Sequence, residues 1–188
     1  MKSNISNSSN SPLRYPGGKG KITRFISNNV EMNGLTGTYV EPFAGGAGVA
    51  INLLLSNKVN NVIINDLDSS VYAFWDSVLN STNDLIKMIE EVPFDFYDSI
   101  NKLTPSEKFS YWKSNQDRLN LYRKKDSTHG LNEAFHFFMA NRMNVSGIID
   151  GGPIGGKNQN GKYDITSRFN KKNLLAKLKK FLNNLIGF

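Results

Sequence analysis

The residues most able to do chemistry are three glycines and one carboxylate. Gly45, Gly46 and Gly48 form a turn between an apolar strand and an apolar helix, and Asp66 follows Gly48 by 18 residues. Such a turn lets a ligand approach the backbone and the helix N-terminus closely. An acidic residue about 20 positions on, at the end of the next strand, can accept hydrogen bonds from ribose hydroxyls. Position 51 is Ile51, so the third glycine of a dinucleotide fingerprint is missing, and no phosphate-loop pattern is present. That disfavours a pyrophosphate-bearing dinucleotide and leaves room for a smaller adenosine-containing cofactor. Other chemistries find little support. The chain has no Cys, which removes disulfides, thiolate nucleophiles and Cys-type zinc sites. His129 and His136 are the only histidines, and no carboxylate-rich cluster surrounds them in the sequence. His136 lies among Phe135, Phe137 and Phe138, which argues for a core or helix-face role over a metal ligand.

The elements that must position these groups follow from apolar periodicity. Leu13 to Lys19 is a tight turn, and Ile22, Phe25 and Ile26 mark one face of a short helix. Thr38 to Val40 reads as a buried strand ended by Glu41-Pro42, with the Gly turn and a helix from Val49 to Leu55 after it. Val62 to Ile64 is a second strand, stopped at Asn65 to Asp68, and Val71, Phe74, Trp75 and Val78 mark the next helix. Strand, Gly turn, helix, strand is the front half of a doubly wound α/β unit. From Thr82 to Arg142 the apolar residues repeat at helical spacing: Leu85, Met88, Ile89; Phe109, Trp112, Leu119; Phe135, Phe138, Met139. A small helical subdomain with those aromatics in its core is expected. Gly151 to Gly156 cannot be helical. Asn160-Gly161 signals a hairpin, with Lys162 to Thr166 as the returning strand. Leu174, Leu175, Leu178, Phe181, Leu182 and Leu185 line one side of a last helix, expected to pack on the sheet, and Gly187 marks its stop.

A chain of 188 residues makes one domain, or one domain with a small insertion. Its 23 Lys and Arg exceed 16 Asp and Glu, for a net charge of +7. The stretch from Lys157 to Lys180 holds eight cations and one anion, Asp164, and so carries the whole excess. That density suits nucleic acid; a solvated helix face is the competing reading. No apolar run is long enough to span a bilayer. Met1 to Ser11 is rich in Ser and Asn without an apolar stretch, so a flexible tail and a cytoplasmic location are expected.

In this order, several segments resemble one family. Leu13-Arg14-Tyr15-Pro16-Gly17-Gly18-Lys19, Val40-Glu41-Pro42-Phe43-Ala44-Gly45-Gly46-Ala47-Gly48 and Asn65-Asp66 resemble the cofactor motifs of Dam-like site-specific DNA adenine-N6 methyltransferases. Asn141-Arg142, Ser146-Gly147, Gly151 to Gly156 and the expected hairpin resemble that family's target-recognition region. The resemblance implies a partial Rossmann-like methyltransferase sheet with an inserted helical recognition subdomain and hairpin. It implies S-adenosylmethionine as cofactor, contacted by Tyr15, Lys19, Phe43, Gly45, Gly46, Gly48 and Asp66. Tyr15 would lie against the ligand, Lys19 near its polar end, and Asp66 on the ribose. It further implies double-stranded DNA as partner, with Asn141, Arg142, Lys157, Lys162 and Arg168 as contacts and the target adenine extruded before reaction.

One family motif is missing. An Asp/Asn-Pro-Pro-Tyr segment engages the adenine amino group in these enzymes, yet none of the six prolines here is adjacent to another. No catalytic residue is therefore assigned, and no metal ligand. The reading divides the chain into a tail (1–11), a cofactor portion (12–81), a recognition region (82–170) and a basic helix (171–188). A truncated or split enzyme completed by a C-terminal fragment is expected, with an unpaired strand edge where the missing strands belong. The alternative is a non-catalytic DNA-binding remnant.

Overall fold

The computed structural model describes residues 10–97, 102–124 and 130–185. The tail up to residue 9, His129 and the Gly187 stop lie outside the described residues. Two compact units divide the chain, Met1–Leu67 and Asp68–Phe188.

The first unit is α/β. A 3-10 turn (Lys19–Ile22) leads into helix α1 (Thr23–Met32), strand β1 (Thr38–Glu41), helix α2 (Gly48–Leu55) and strand β2 (Asn61–Ile64). The strands pair in parallel, Thr38 opposite Asn61 and Glu41 opposite Ile64. One sheet face is covered: Val30, Val49, Leu53 and Val59 form a core that Ile26, Tyr39 and Val62 pack against. The other face carries the cross-strand pair Val40 and Ile63, 52% and 56% exposed. The expectation of a fully buried strand is thus corrected, because alternation along a strand sends every second side chain to the uncovered face. The expected face of α1 is also corrected. Thr23, Ser27 and Val30 are its buried residues, whereas Ile22 and Phe25 are exposed. Ser11, assigned to the tail, is buried and its hydroxyl accepts from the Leu13 N–H.

The second unit is helical: α3 (Ser69–Asn80), α4 (Thr82–Glu90), α5 (Pro105–Lys124), α6 (Leu131–Met143) and α7 (Lys171–Leu185). α6 is its axis, buried almost throughout. Phe74 of α3 stacks on Phe138 with ring centroids 5.6 Å apart, and Phe94 meets Phe169 edge-on at 5.1 Å. The Phe74–Phe138 stacking ties α3 into the helical unit, which begins at Asp68. Leu174, Leu178 and Phe181 of α7 are buried, with the helix packed against α3 and α4, whereas a sheet was the expected surface.

No hairpin forms after Asn160-Gly161. The described residues from 151 to 170 hold only turns and one isolated antiparallel bridge, Asn144 to Pro153. Side chains take the backbone groups that a ladder would pair. The Gln159 amide donates to the carbonyls of Ile154 and Gly156 and accepts from the Ile165 N–H. The Asp164 carboxylate accepts from the N–H and hydroxyl of Thr166. No described helix is long and apolar enough to cross a membrane.

Candidate cofactor cradle and nucleic-acid interface

The cradle sits where β1 and β2 end. Both strands stop at the same level, and their pairing continues one step further through Asn65 N–H to the Glu41 carbonyl and Ala44 N–H to the Asn65 carbonyl. The chain then turns sharply. Gly45 has φ +47°, and a Cβ there would lie 2.6 Å from the Tyr15 ring. Only glycine combines that backbone with so close an aromatic neighbour. Ala47 adopts a left-handed conformation immediately before α2. At Gly46 a Cβ would stand 3.1 Å from Tyr15 Cβ, and at Gly48 there is ordinary room.

Asp66 enters from the end of β2. Its Oδ2 accepts the Gly45 N–H at 2.7 Å, so carboxylate and glycine turn form one unit. Tyr15 is 40% exposed with its ring over Gly45, and Phe43 is exposed beside the turn. Lys19 donates to Glu41 Oε1 at 3.0 Å and to the Phe43 carbonyl at 2.8 Å. The structure therefore brings Tyr15, Lys19, Phe43, Gly45, Gly46, Gly48 and Asp66 to one end of the sheet. The donor set fits an adenosine-bearing amino acid: aromatic surface for a base, a carboxylate for hydroxyls, and an ammonium for a carboxylate. Glu41, quoted within the glycine-turn motif but not among the expected contacts, is 3% exposed; a charge closing an apolar strand just before Pro42 was its local signal.

The second unit holds the basic residues. Lys157, Lys162 and Arg168 are exposed, and the Lys162 ammonium lies 5.6 Å from the Tyr163 ring centroid. Arg142 donates through Nε to the Arg168 carbonyl at 2.8 Å, and through Nη2 to the same oxygen. It therefore braces the loop that presents Arg168. Asn141 is fully buried and its amide donates to the Gly147 carbonyl. In this conformation its side chain supports the turn. Partial burial and the nearby Arg142 charge lower the Lys177 pKa. Asp164, the one anion of the stretch, pairs with Lys108 at 2.6 Å. Burial would raise its pKa, but hydrogen bonds from Lys108 and Thr166, with the Lys108 charge, hold it below the ordinary carboxylate value.

Asn144 was also missed. Completely buried, it accepts from Trp112 Nε1 at 2.7 Å and donates to the carbonyls of Ile148 and Ile149. It fixes a short 3-10 turn (Val145–Gly147) in which Ser146 has φ +56°. No spacing rule announces a buried Asn of this kind. His136 is buried, with Nδ1 2.8 Å from Asn115 Oδ1. Burial, assisted by Arg118, pushes its pKa down to about 4, so the ring is neutral at physiological pH. Among the described residues no cluster of His, Asp and Glu could hold a metal.

Comparison with known proteins supplies the family. The Type II methyltransferase M.MjaIII of Methanocaldococcus jannaschii is 26% identical over 181 residues, which cover 93% of this chain and 61% of the relative. The chain thus spans under two thirds of the length of that curated relative. The family described as D12 class N6 adenine-specific DNA methyltransferase matches residues 15–187. The chain, glycine turn and basic helical unit included, belongs to the D12 class N6 adenine-specific DNA methyltransferase family.

Proposed function

We propose that this chain is the portion of an adenine-N6 DNA methyltransferase that holds S-adenosylmethionine and engages double-stranded DNA. The observation that carries the reading is the joining of Asp66, Gly45 and Tyr15 into one cradle at the strand ends. When bound, the cofactor supplies a methyl group on a sulfonium, ready for displacement by a nucleophile. Tyr15 and Phe43 offer faces to the adenine ring of the cofactor. Asp66 accepts its ribose hydroxyls through charge-assisted hydrogen bonds, and Lys19 meets its carboxylate. Lys157, Lys162 and Arg168 neutralise DNA phosphates, positioning the duplex without reading its sequence.

The amino nitrogen of adenine is a poor nucleophile because its lone pair is delocalised into the ring. Methyl transfer needs acceptors for its protons and an aromatic ring against the base. The family's Asp/Asn-Pro-Pro-Tyr segment supplies both, and none of these 188 residues forms it. We infer that a further polypeptide segment carrying that motif completes the site.

Two measurements test this reading. By calorimetry the chain should bind S-adenosylhomocysteine, and Asp66→Ala should abolish that binding. Labelled-methyl transfer to unmethylated DNA should be absent with the 188 residues alone and appear when a polypeptide bearing the motif is supplied. DNA binding that persists with no cofactor binding, and no transfer after completion, would favour a non-catalytic DNA-binding remnant instead.

A further inference from the structure

Glu41 poses a physical question that the cofactor contacts leave open. It ends an apolar strand, is 3% exposed, and still carries a carboxylate. Burying an unpaired charge is costly, so its two oxygens must be occupied. Oε2 accepts the Ala50 N–H at 3.1 Å. Ala50 lies in the first turn of α2, whose N-cap residue, Ala47, supplies no capping side chain. Glu41 therefore does from the strand what a capping Ser or Asp does from the helix itself. Oε1 takes the Lys19 ammonium at 3.0 Å.

Lys19 is the other half of the argument. A lysine ammonium has three donor hydrogens. Here Glu41 and the Phe43 carbonyl receive two of them, while the Lys19 side chain stays 43% exposed. A long flexible side chain is thereby fixed at the lip of the glycine turn with donor capacity and exposure left for a ligand. Fixing it before binding lowers the entropy lost when the ligand arrives. The α2 N-terminus beside it favours negative charge as well.

We propose that Glu41 is the positioning residue for recognition of the amino-acid end of the cofactor. It holds the Lys19 ammonium where a carboxylate meets it and ties that ammonium to the first turn of α2. This inference rests on the cofactor reading above. A ligand with a carboxylate should depend on Glu41, whereas a ligand that shares only the adenosine portion should not.

Calorimetric titration of the 188-residue chain with S-adenosylhomocysteine and with 5′-methylthioadenosine, which lacks the amino-acid end, separates these cases. Glu41→Gln keeps an acceptor for the Ala50 N–H but loses the ion pair. It should weaken S-adenosylhomocysteine on the order of tenfold, about 1.4 kcal/mol, and leave methylthioadenosine within about twofold. Lys19→Met should show the same selective loss, and adding Glu41→Gln to it should cost little more, since the two act as one unit. Equal weakening of both ligands would reduce Glu41 to a structural role and overturn the proposal; so would no change in either. If the wild-type chain binds neither ligand, the cofactor reading itself falls, a result distinct from wild-type binding that is indifferent to Glu41.

Discussion

Asp66 carries two hydrogen-bonding duties that substitutions can separate. Its carboxylate braces Gly45, and in the proposed complex it also holds ribose hydroxyls. Asp66→Asn retains an acceptor for the Gly45 N–H but loses the charge. The expected outcome is a loss of about 1.5–3 kcal/mol in cofactor affinity by calorimetry, the range for hydrogen bonds to charged groups, with little change in melting temperature. Gly45→Ala should fail differently. Its Cβ would strike the Tyr15 ring and its backbone would be held at an unfavourable φ. A stability loss of about 1–2 kcal/mol or more in chemical denaturation is expected. His136 gives a pH signature. Its pKa is lowered to about 4 by burial, whereas in the unfolded chain it returns to about 6.5. Below that value the unfolded state binds the extra proton, so this group's contribution makes stability fall as pH drops from about 6.5 to 4. The expected loss is on the order of 3 kcal/mol, and His136→Gln should flatten that part of the pH profile.

At the scale of elements, the turn held by Asn144 should be sensitive to that one side chain. Asn144→Ala would remove one acceptor and two donated hydrogen bonds from a buried position. We expect a cost of about 2–4 kcal/mol by chemical denaturation, together with weaker DNA binding in gel-shift titration. The contrast between Asn144 and Gly45 also shows how far local sequence reaches. The glycine turn was legible because strand, glycines and Asp66 lie within one short α/β segment whose backbone demands are local. The Asn144 turn depends on Trp112, more than thirty residues away, and no local pattern carries that. The absent hairpin has the same cause. Asn160-Gly161 is a sound turn signal, but Gln159 and Asp164 capture the flanking backbone with their side chains. Helices α3, α4, α6 and α7 were readable from apolar spacing. The face that α1 buries was not, because Thr23 and Ser27 lie on it while Phe25 is exposed.

For the molecule as a whole, the charge and the uncovered sheet face are the two properties to explain. The positive excess between Lys157 and Lys180 should make DNA affinity strongly salt-dependent. Each phosphate contact adds about 0.9 to the slope of log affinity against log salt. Replacing Lys157, Lys162 or Arg168 singly by Gln should reduce that slope by about one, and an unchanged slope would remove that residue from the interface. The small parallel sheet is bare on the Val40 and Ile63 face, although parallel sheets are normally covered on both faces.

The most direct test is a crystal structure of the chain grown with S-adenosylmethionine. The account requires the ribose hydroxyls on the Asp66 carboxylate, the adenosine portion against the Gly45 turn, and the Tyr15 ring in contact with the ligand. A cofactor bound anywhere else, or one that touches neither the Asp66 carboxylate nor the Tyr15 ring, would contradict it.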